Sequence, residues 1–256
     1  MVDFVSVKSK TRNVKMLNGH AVESWCIIFD LKKEKNKMLS AEIIESNWKR
    51  LLGFVERGFS GERQETLLKL YNEQEQRIAT APASGKIHFH SAYLGGYVVH
   101  VLNVMRIIPE VSELWQKLGG KKEYTDEEMF FVALNHDLGK IGDLKNDYYV
   151  ASNNDWKRKN YGEMFEVNYK DFMKVQMRSI YLLQHYGVKM TQREFLTILL
   201  HDGLYDEGNK PYFINYNPHK LDRFVYLIHF ADMWATSLEY ESWAETKEAK
   251  EFLDKA

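Results

Sequence analysis

Apolar residues recur at intervals of three and four along most of the chain, the spacing of one buried helix face. This pattern predicts a mostly α-helical protein. The expected helices cover about residues 41–57, 61–79, 97–108, 126–138, 169–186, 192–202 and 219–243.

Several residues predict where these helices begin and end. Ser40 is a typical N-cap, and the segments 125–128 and 191–194 each have the Thr-x-x-Glu form of a capping box. Pro109 should interrupt or end the third helix, because proline lacks the N–H that a helix interior needs. Gly139 should end the fourth as a C-terminal glycine.

Two regions depart from the helical pattern. Asn18-Gly19 lies between two apolar segments and predicts a β-hairpin. Residues 141–168 are polar, rich in Tyr and Asn and weakly periodic, which suggests a long functional loop with one short helix. The expected organisation is a hairpin element (1–36), a helical segment packing on the core (37–80), a main domain (81–245) and a C-terminal tail (246–256).

Charge and cysteine content narrow the class of protein. The 35 Lys and Arg residues nearly balance the 36 Asp and Glu residues, so the total shows no basic excess of the kind that nucleic-acid binding favours. Cys26 is the single cysteine, and no run of apolar residues is long enough to span a membrane. We therefore expect a cytoplasmic protein with no membrane partner, and the sequence is compatible with an oligomer.

Three polar features lie where the pattern predicts burial. Leu221, Val225, Ile228, Asp232 and Ala235 form one helix face that is apolar except at the aspartate. Asp232 must find a cation or strong donors there, in a buried salt bridge, a cap or a metal site.

The other two features are histidines. His136-Asp137 ends an apolar helix, where the pair either reaches solvent or is compensated inside the protein. His100 lies within the apolar run YVVHVLNVMRII, a typical position for a hydrogen-bonded core histidine. Taken together with Asp232, these residues would make a mixed nitrogen and oxygen site for one divalent cation, and each would then compensate the others.

The local sequences around these residues resemble the HD-domain metal-dependent phosphohydrolases. FHSAYLGGYVVHVLNV, ALNHDLGKIGDL, LLHDGLYDEGN and HFADMWATSLE occur in the order of that family's motifs, from about residue 80 to about residue 240. The resemblance implies an HD-domain helical bundle. It also implies that His100, His136, Asp137 and Asp232 hold the metal, which could be Mn²⁺, Mg²⁺, Co²⁺, Fe²⁺, Ni²⁺ or Zn²⁺.

Two departures from the family pattern affect this interpretation. Members with two metals carry further histidines after the His-Asp pair, and this chain has none between residues 137 and 184. We therefore expect one metal. The similar 3′-to-5′ exoribonucleases carry an N-terminal OB-fold barrel, for which residues 1–36 are too few.

The resemblance also suggests residues for catalysis and substrate binding. Asp137 would orient or deprotonate a water activated by the metal. Lys140 would contact phosphate, unless it is only a cation at a helix C-terminus. His90 is expected to bind phosphate, and His201-Asp202 to bind substrate, with His201 donating a proton to the leaving group. His88 has no counterpart and is expected to be a solvated loop residue.

The function implied is metal-dependent hydrolysis of a phosphoester or phosphoanhydride in a nucleoside mono- or triphosphate. Two alternatives stay open. One is a 3′-to-5′ exonuclease on single-stranded RNA or DNA, in which the aromatic residues and the Lys157-Arg158-Lys159 run of segment 141–168 contact the strand. The other is a catalytically silent HD fold that binds a nucleotide or a protein.

Overall fold

The computed structural model describes residues 16–17, 20–21, 39–170, 172–215 and 220–254. Its fold is mostly α-helical with small β elements, as predicted. The α-helices are α1 (Ala41–Gly58), α2 (Gly61–Glu73), α3 (Glu75–Thr80), α4 (Gly96–Lys117), α5 (Asp126–Asn135), α6 (Asp155–Tyr161), α7 (Val175–His185), α8 (Gln192–Leu200), α9 (Arg223–Ala244) and α10 (Lys247–Leu253).

The strands form two small antiparallel sheets. β1 (Met16–Leu17) pairs with β2 (His20–Ala21) in the register Met16↔Ala21 and Leu17↔His20, which confirms the predicted strand pairing. The other calls on residues 1–36 lie outside the described residues. β3 (Tyr149–Ala151) pairs with β4 (Phe165–Val167), and α6 connects them.

Helix α4 is the centre of the bundle. It packs against α9 and α5, and its other sides contact α1 and α3. Its apolar side chains are buried nearly all round, as the run at 97–108 predicts. His100, in the middle of this apolar run, is therefore fully enclosed by neighbouring elements.

The expectation that Pro109 interrupts or ends this helix is wrong. The helix continues unbroken to Lys117. Proline in a helix interior costs about 3 kcal/mol. Burial of an aliphatic side chain contributes about 1.5–3 kcal/mol, and Ile107, Ile108 and Val111 are all buried around the proline. Packing of the flanking residues therefore outweighs the local defect.

The role predicted for Gly139 is also wrong. Helix α5 ends earlier, with His136 as its C-cap, and Gly139 lies in a short 3₁₀ helix, Leu138–Ile141. A Cβ at Gly139 would lie 2.1 Å from the carbonyl oxygen of Val175. Glycine is needed here because α7 packs directly onto this backbone.

Other boundaries differ from the predicted ones. The helix predicted over 61–79 is divided at Gln74, and the one predicted from 169 begins at Val175. The segment 141–168 contains the predicted short helix, but also the two strands that the sequence did not indicate. The predicted C-terminal tail includes α10, for which Thr246 is the N-cap.

Both predicted capping boxes are present, and one arginine joins them. Thr125 and Thr191 each accept a hydrogen bond from the backbone N–H three residues later, at the starts of α5 and α8. The Nη1 of Arg63 lies 3.1 Å from Glu127 Oε1 and 2.8 Å from Glu194 Oε1. The N-termini of the two helices are therefore held together by one guanidinium group.

Candidate metal centre

The four predicted metal ligands meet at the junction of three helices. His100 comes from α4, His136 and Asp137 from the C-terminal end of α5, and Asp232 from α9. One ligand atom from each lies within 4.8 Å of the others, and the first three residues are buried. Residues far apart in sequence converge because α4 packs on both α5 and α9.

The atoms that face the centre are ring nitrogens and carboxylate oxygens. His100 Nε2 lies 3.0 Å from Asp232 Oδ1 and 3.5 Å from Asp137 Oδ2. His136 Nε2 lies 3.4 Å from His100 Nε2 and 3.5 Å from Asp137 Oδ2. Two imidazole nitrogens and two carboxylates form a donor set that suits several divalent transition metals.

The outer nitrogen of each ring is already bonded. His136 Nδ1 donates to Ala133 O at 2.9 Å, and His100 Nδ1 lies 3.2 Å from Glu239 Oε1. Each neutral ring with its proton on Nδ1 presents the lone pair of Nε2 to the centre. These lone pairs and the nearby carboxylates repel one another unless a proton or a metal ion lies between them. The residues therefore fit a bound cation.

Without a metal, a proton on His100 performs this compensation. Burial lowers the pKa of His100, but Glu239 and Asp232 outweigh it and raise that pKa to about 10. Burial lowers the pKa of His136 to about 4, against the opposing effect of Asp137. Since metal ligation requires unprotonated Nε2 atoms, a cation would displace the proton from His100.

Lys140 lies at the edge of the same cluster. Its Nζ is 2.6 Å from Asp137 Oδ2, and only 12% of its side chain is exposed. Although burial opposes ionisation, Lys140 and His136 hold the pKa of Asp137 well below its usual range. The lysine side chain is therefore directed at the cluster, where it contacts a carboxylate.

His201 and Asp202 lie on the other side of Asp137. His201 Nε2 is 3.5 Å from Asp137 Oδ1 and 3.5 Å from Asp202 Oδ1, while its Nδ1 is 2.8 Å from Ile198 O. Burial lowers the pKa of His201, but Asp202 and Asp137 raise it to about 10. His201 therefore directs Nε2 at two carboxylates, which favour its protonated form.

The histidines of the 88–100 segment separate in space. His90 lies beside the cluster, with its ring centroid 4.9 Å from that of His100. Its Nε2 is buried and has no hydrogen-bond partner within the described part of the chain, and burial together with Lys140 lowers its pKa to about 3. His88 instead stacks on Phe252, at 6.1 Å between centroids.

Sequence reasoning missed Glu239, which is buried beneath the cluster. It accepts hydrogen bonds from Asn103 Nδ2 at 2.9 Å and Ser91 Oγ at 2.8 Å, in addition to its contact with His100. Glu239 follows Ala235 by four residues, so it continues the helix face that identified Asp232. Extending that pattern by one turn would have found it.

The basic run of segment 141–168 contacts acidic side chains. Lys157 Nζ is 3.0 Å from Glu163 Oε1, and Arg158 bonds to Asp155. The Trp156 side chain is exposed and packs edge-on against Tyr161. Two of the three cations proposed for strand binding thus already have anionic partners.

Within the described part of the chain, none of the helices has the length and apolar character needed to cross a lipid bilayer. Comparisons of the chain with family models, curated proteins and solved structures give no match. The resemblance of its four motifs to HD-domain phosphohydrolases therefore stays a prediction.

Proposed function

We propose that this protein is an HD-type, divalent-metal-dependent phosphohydrolase that cleaves a phosphoester or phosphoanhydride bond of a nucleotide. The observation that carries the proposal is the convergence of two Nε2 atoms and two carboxylates from three helices, with both rings fixed at Nδ1. Such outer hydrogen bonds are typical of histidines that bind metals.

His100, His136, Asp137 and Asp232 would hold one cation. A bound divalent cation lowers the pKa of a neighbouring water and neutralises negative charge on phosphate. Asp137 and Asp232 would supply the negative charge that binds the cation, because both carboxyl groups have lowered pKa values.

Asp137 contacts charged groups on two sides. Its Oδ1 faces His201, and its Oδ2 faces Lys140 and both metal-binding rings. In the proposed reaction, Asp137 accepts a proton from the attacking water. His201, protonated at Nε2, gives its proton to the departing oxygen, which is general acid catalysis.

Lys140 and His90 would bind the phosphate. The Lys140 ammonium group is a point charge close to the cluster, and phosphate oxygens would compete with Asp137 for its three donor hydrogens. His90 offers a buried Nε2 that lacks a partner among the described residues. A neutral imidazole with its proton on Nε2 donates one hydrogen bond to a phosphate oxygen.

The test is a substrate panel. Purified protein is incubated with Mn²⁺, Mg²⁺ or Co²⁺ and nucleoside mono- and triphosphates, or with a labelled single strand. We expect metal-dependent release of phosphate from nucleotides, its loss in Asp232→Asn, and its retention in the control Glu241→Gln, an exposed position on the same helix.

Other outcomes would support the alternatives. Release of mononucleotides from the labelled strand supports the exonuclease. Nucleotide binding without turnover in any of the three metals supports the silent binding module. Hydrolysis that survives Asp232→Asn at the wild-type rate would contradict the proposed centre.

A further inference from the structure

Glu239 is a buried carboxylate that the proposed reaction does not use. Its side chain is 4% exposed, and its two oxygens contact three residues from two parts of the chain, helix α4 and the loop before it. Oε1 lies 3.2 Å from His100 Nδ1 and 2.9 Å from Asn103 Nδ2, both on α4, while Oε2 accepts from Ser91 Oγ at 2.8 Å.

We propose that Glu239 is a positioning residue that fixes both the metal-facing orientation of His100 and, through Ser91, the loop that carries His90. This inference rests on the proposed function, since it assigns the two histidines to the metal and substrate sides of that site. Glu239 itself would contact neither metal nor substrate.

The contact with His100 sets the state of its ring. A carboxylate at Nδ1 keeps a proton on that nitrogen, so Nε2 faces Asp137 and Asp232 and offers its lone pair once a cation displaces the Nε2 proton. The carboxylate also fixes the angle of the ring and increases its basicity. Both effects strengthen metal binding without any direct contact with the ion.

The contact with Ser91 holds an unfavourable loop conformation. Ser91 has a φ of 45°, in the left-handed region that non-glycine residues seldom adopt. Its carbonyl oxygen would lie only 2.0 Å from a Cβ at Gly96, so the loop is pressed against the start of α4. The hydroxyl bond to Glu239 therefore anchors the backbone next to His90.

Stability alone does not favour a carboxylate here. A buried ion pair often contributes no more to folding than apolar side chains of similar volume. A glutamate that reaches a metal-facing histidine and a strained loop at once can instead define their geometry. The two contacts use different oxygens, so they can be tested separately.

The metal side is tested with Glu239→Gln, which keeps the shape and the acceptor at His100 but removes the charge. We expect the dissociation constant for Mn²⁺, measured by calorimetry, to increase roughly 10- to 100-fold. Glu239→Asp, a shorter carboxylate, serves as a second variant, and Glu241→Gln on the exposed side of α9 should bind Mn²⁺ as the wild type does.

The loop side is tested with Ser91→Ala, which removes only the hydroxyl. We expect KM for the nucleotide to increase roughly tenfold, as loss of one charge-assisted hydrogen bond would produce. The dissociation constant for Mn²⁺ should stay within about twofold of the wild-type value, since Ser91 touches no metal ligand. This separation of KM from metal affinity is the result that a merely structural role would not give.

The proposal is overturned if folded Glu239→Gln, with an unchanged melting temperature, binds Mn²⁺ as tightly as the wild type, or if Ser91→Ala leaves KM unchanged. Failure of the proposed function looks different. In that case the wild-type protein binds Mn²⁺ but hydrolyses none of the nucleotides, and the calorimetric result for Glu239→Gln still decides the metal side.

Discussion

Helices α5 and α8 are built alike, and each ends in a His-Asp pair. Both begin with a threonine capping box. In both, the histidine at the C-terminal end directs its Nδ1 to the carbonyl three residues earlier, at 2.9 Å for His136 and 2.8 Å for His201. Similar local sequence therefore gives the same helix end and the same ring orientation.

The chemistry of the two pairs nevertheless differs. Asp137 is buried against Lys140, and its pKa is depressed, whereas partial burial raises the pKa of Asp202. The pKa of His136 falls to about 4, while that of His201 rises to about 10. Similar helix ends give the two rings the same orientation, whereas burial and nearby charges give the two pairs opposite pKa shifts.

Replacing the aspartate of each His-Asp pair by asparagine should give the largest difference in hydrolysis rate between the two pairs. Asp137→Asn removes a metal ligand and the proton acceptor, so we expect nucleotide hydrolysis to fall about 10²- to 10⁴-fold. Asp202→Asn removes a partly exposed carboxylate and should lower the rate of nucleotide hydrolysis about tenfold. Steady-state rates at saturating Mn²⁺ measure both; equal losses would mean that the pairs are not distinct in role.

The role of His201 can be tested through the leaving group. His201→Gln should lower kcat about 100-fold for a nucleotide, whose departing oxygen needs a proton. With a p-nitrophenyl phosphoester, whose leaving group departs without protonation, the decrease should be slight. The ratio of the two rates is the measurement, and equal losses for both substrates would contradict a proton donor at this position.

Metal binding should stabilise the fold, and this stabilisation should require the His136-Asp137 pair but not the His201-Asp202 pair. Mn²⁺ at about 100 times its dissociation constant should raise the free energy of unfolding by about 2.7 kcal/mol. We expect this increase to persist in Asp202→Asn and to vanish in Asp137→Asn. Thermal unfolding with Mn²⁺ or with chelator measures it, and persistence in Asp137→Asn would argue against that residue as a ligand.

The caps at the opposite helix ends should be equivalent. Thr125→Ala and Thr191→Ala each remove one N-cap acceptor, so each should destabilise the protein by about 1 kcal/mol. Denaturant unfolding measures the effect, with Ser237→Ala on the exposed face of α9 as the control. A much larger loss of unfolding free energy for one variant would show that the two caps do not contribute equally to stability.

The sequence predicts those parts of the site that break a strong local pattern. Asp232 stands out because one helix face is otherwise apolar, and His100 because its helix is apolar nearly all round. Structure places both at the cluster. Their identification as HD motifs depends on the resemblance of the surrounding sequence to that family.

Other features depend on contacts that no local pattern records. Pro109 remains helical because its flanking side chains are buried in the core, and Gly139 is needed because α7 lies against its backbone. Strands β3 and β4 pair with each other although α6 separates them in sequence, and the segment that contains them has only weak periodicity. These outcomes are set by tertiary packing rather than by residue preference.

The guanidinium of Arg63 connects the N-terminal ends of α5 and α8. It clamps the two helices where they begin, and the His-Asp pairs lie where they end. Helix α5 has 10 residues, so the lever arm is about 15 Å. A change of about 4° in the angle between the rods moves their tips by about 1 Å. The 3.5 Å gap between Asp137 and His201 therefore depends on the helix angle that Arg63 helps to fix about 15 Å away, at the opposite ends of the two helices.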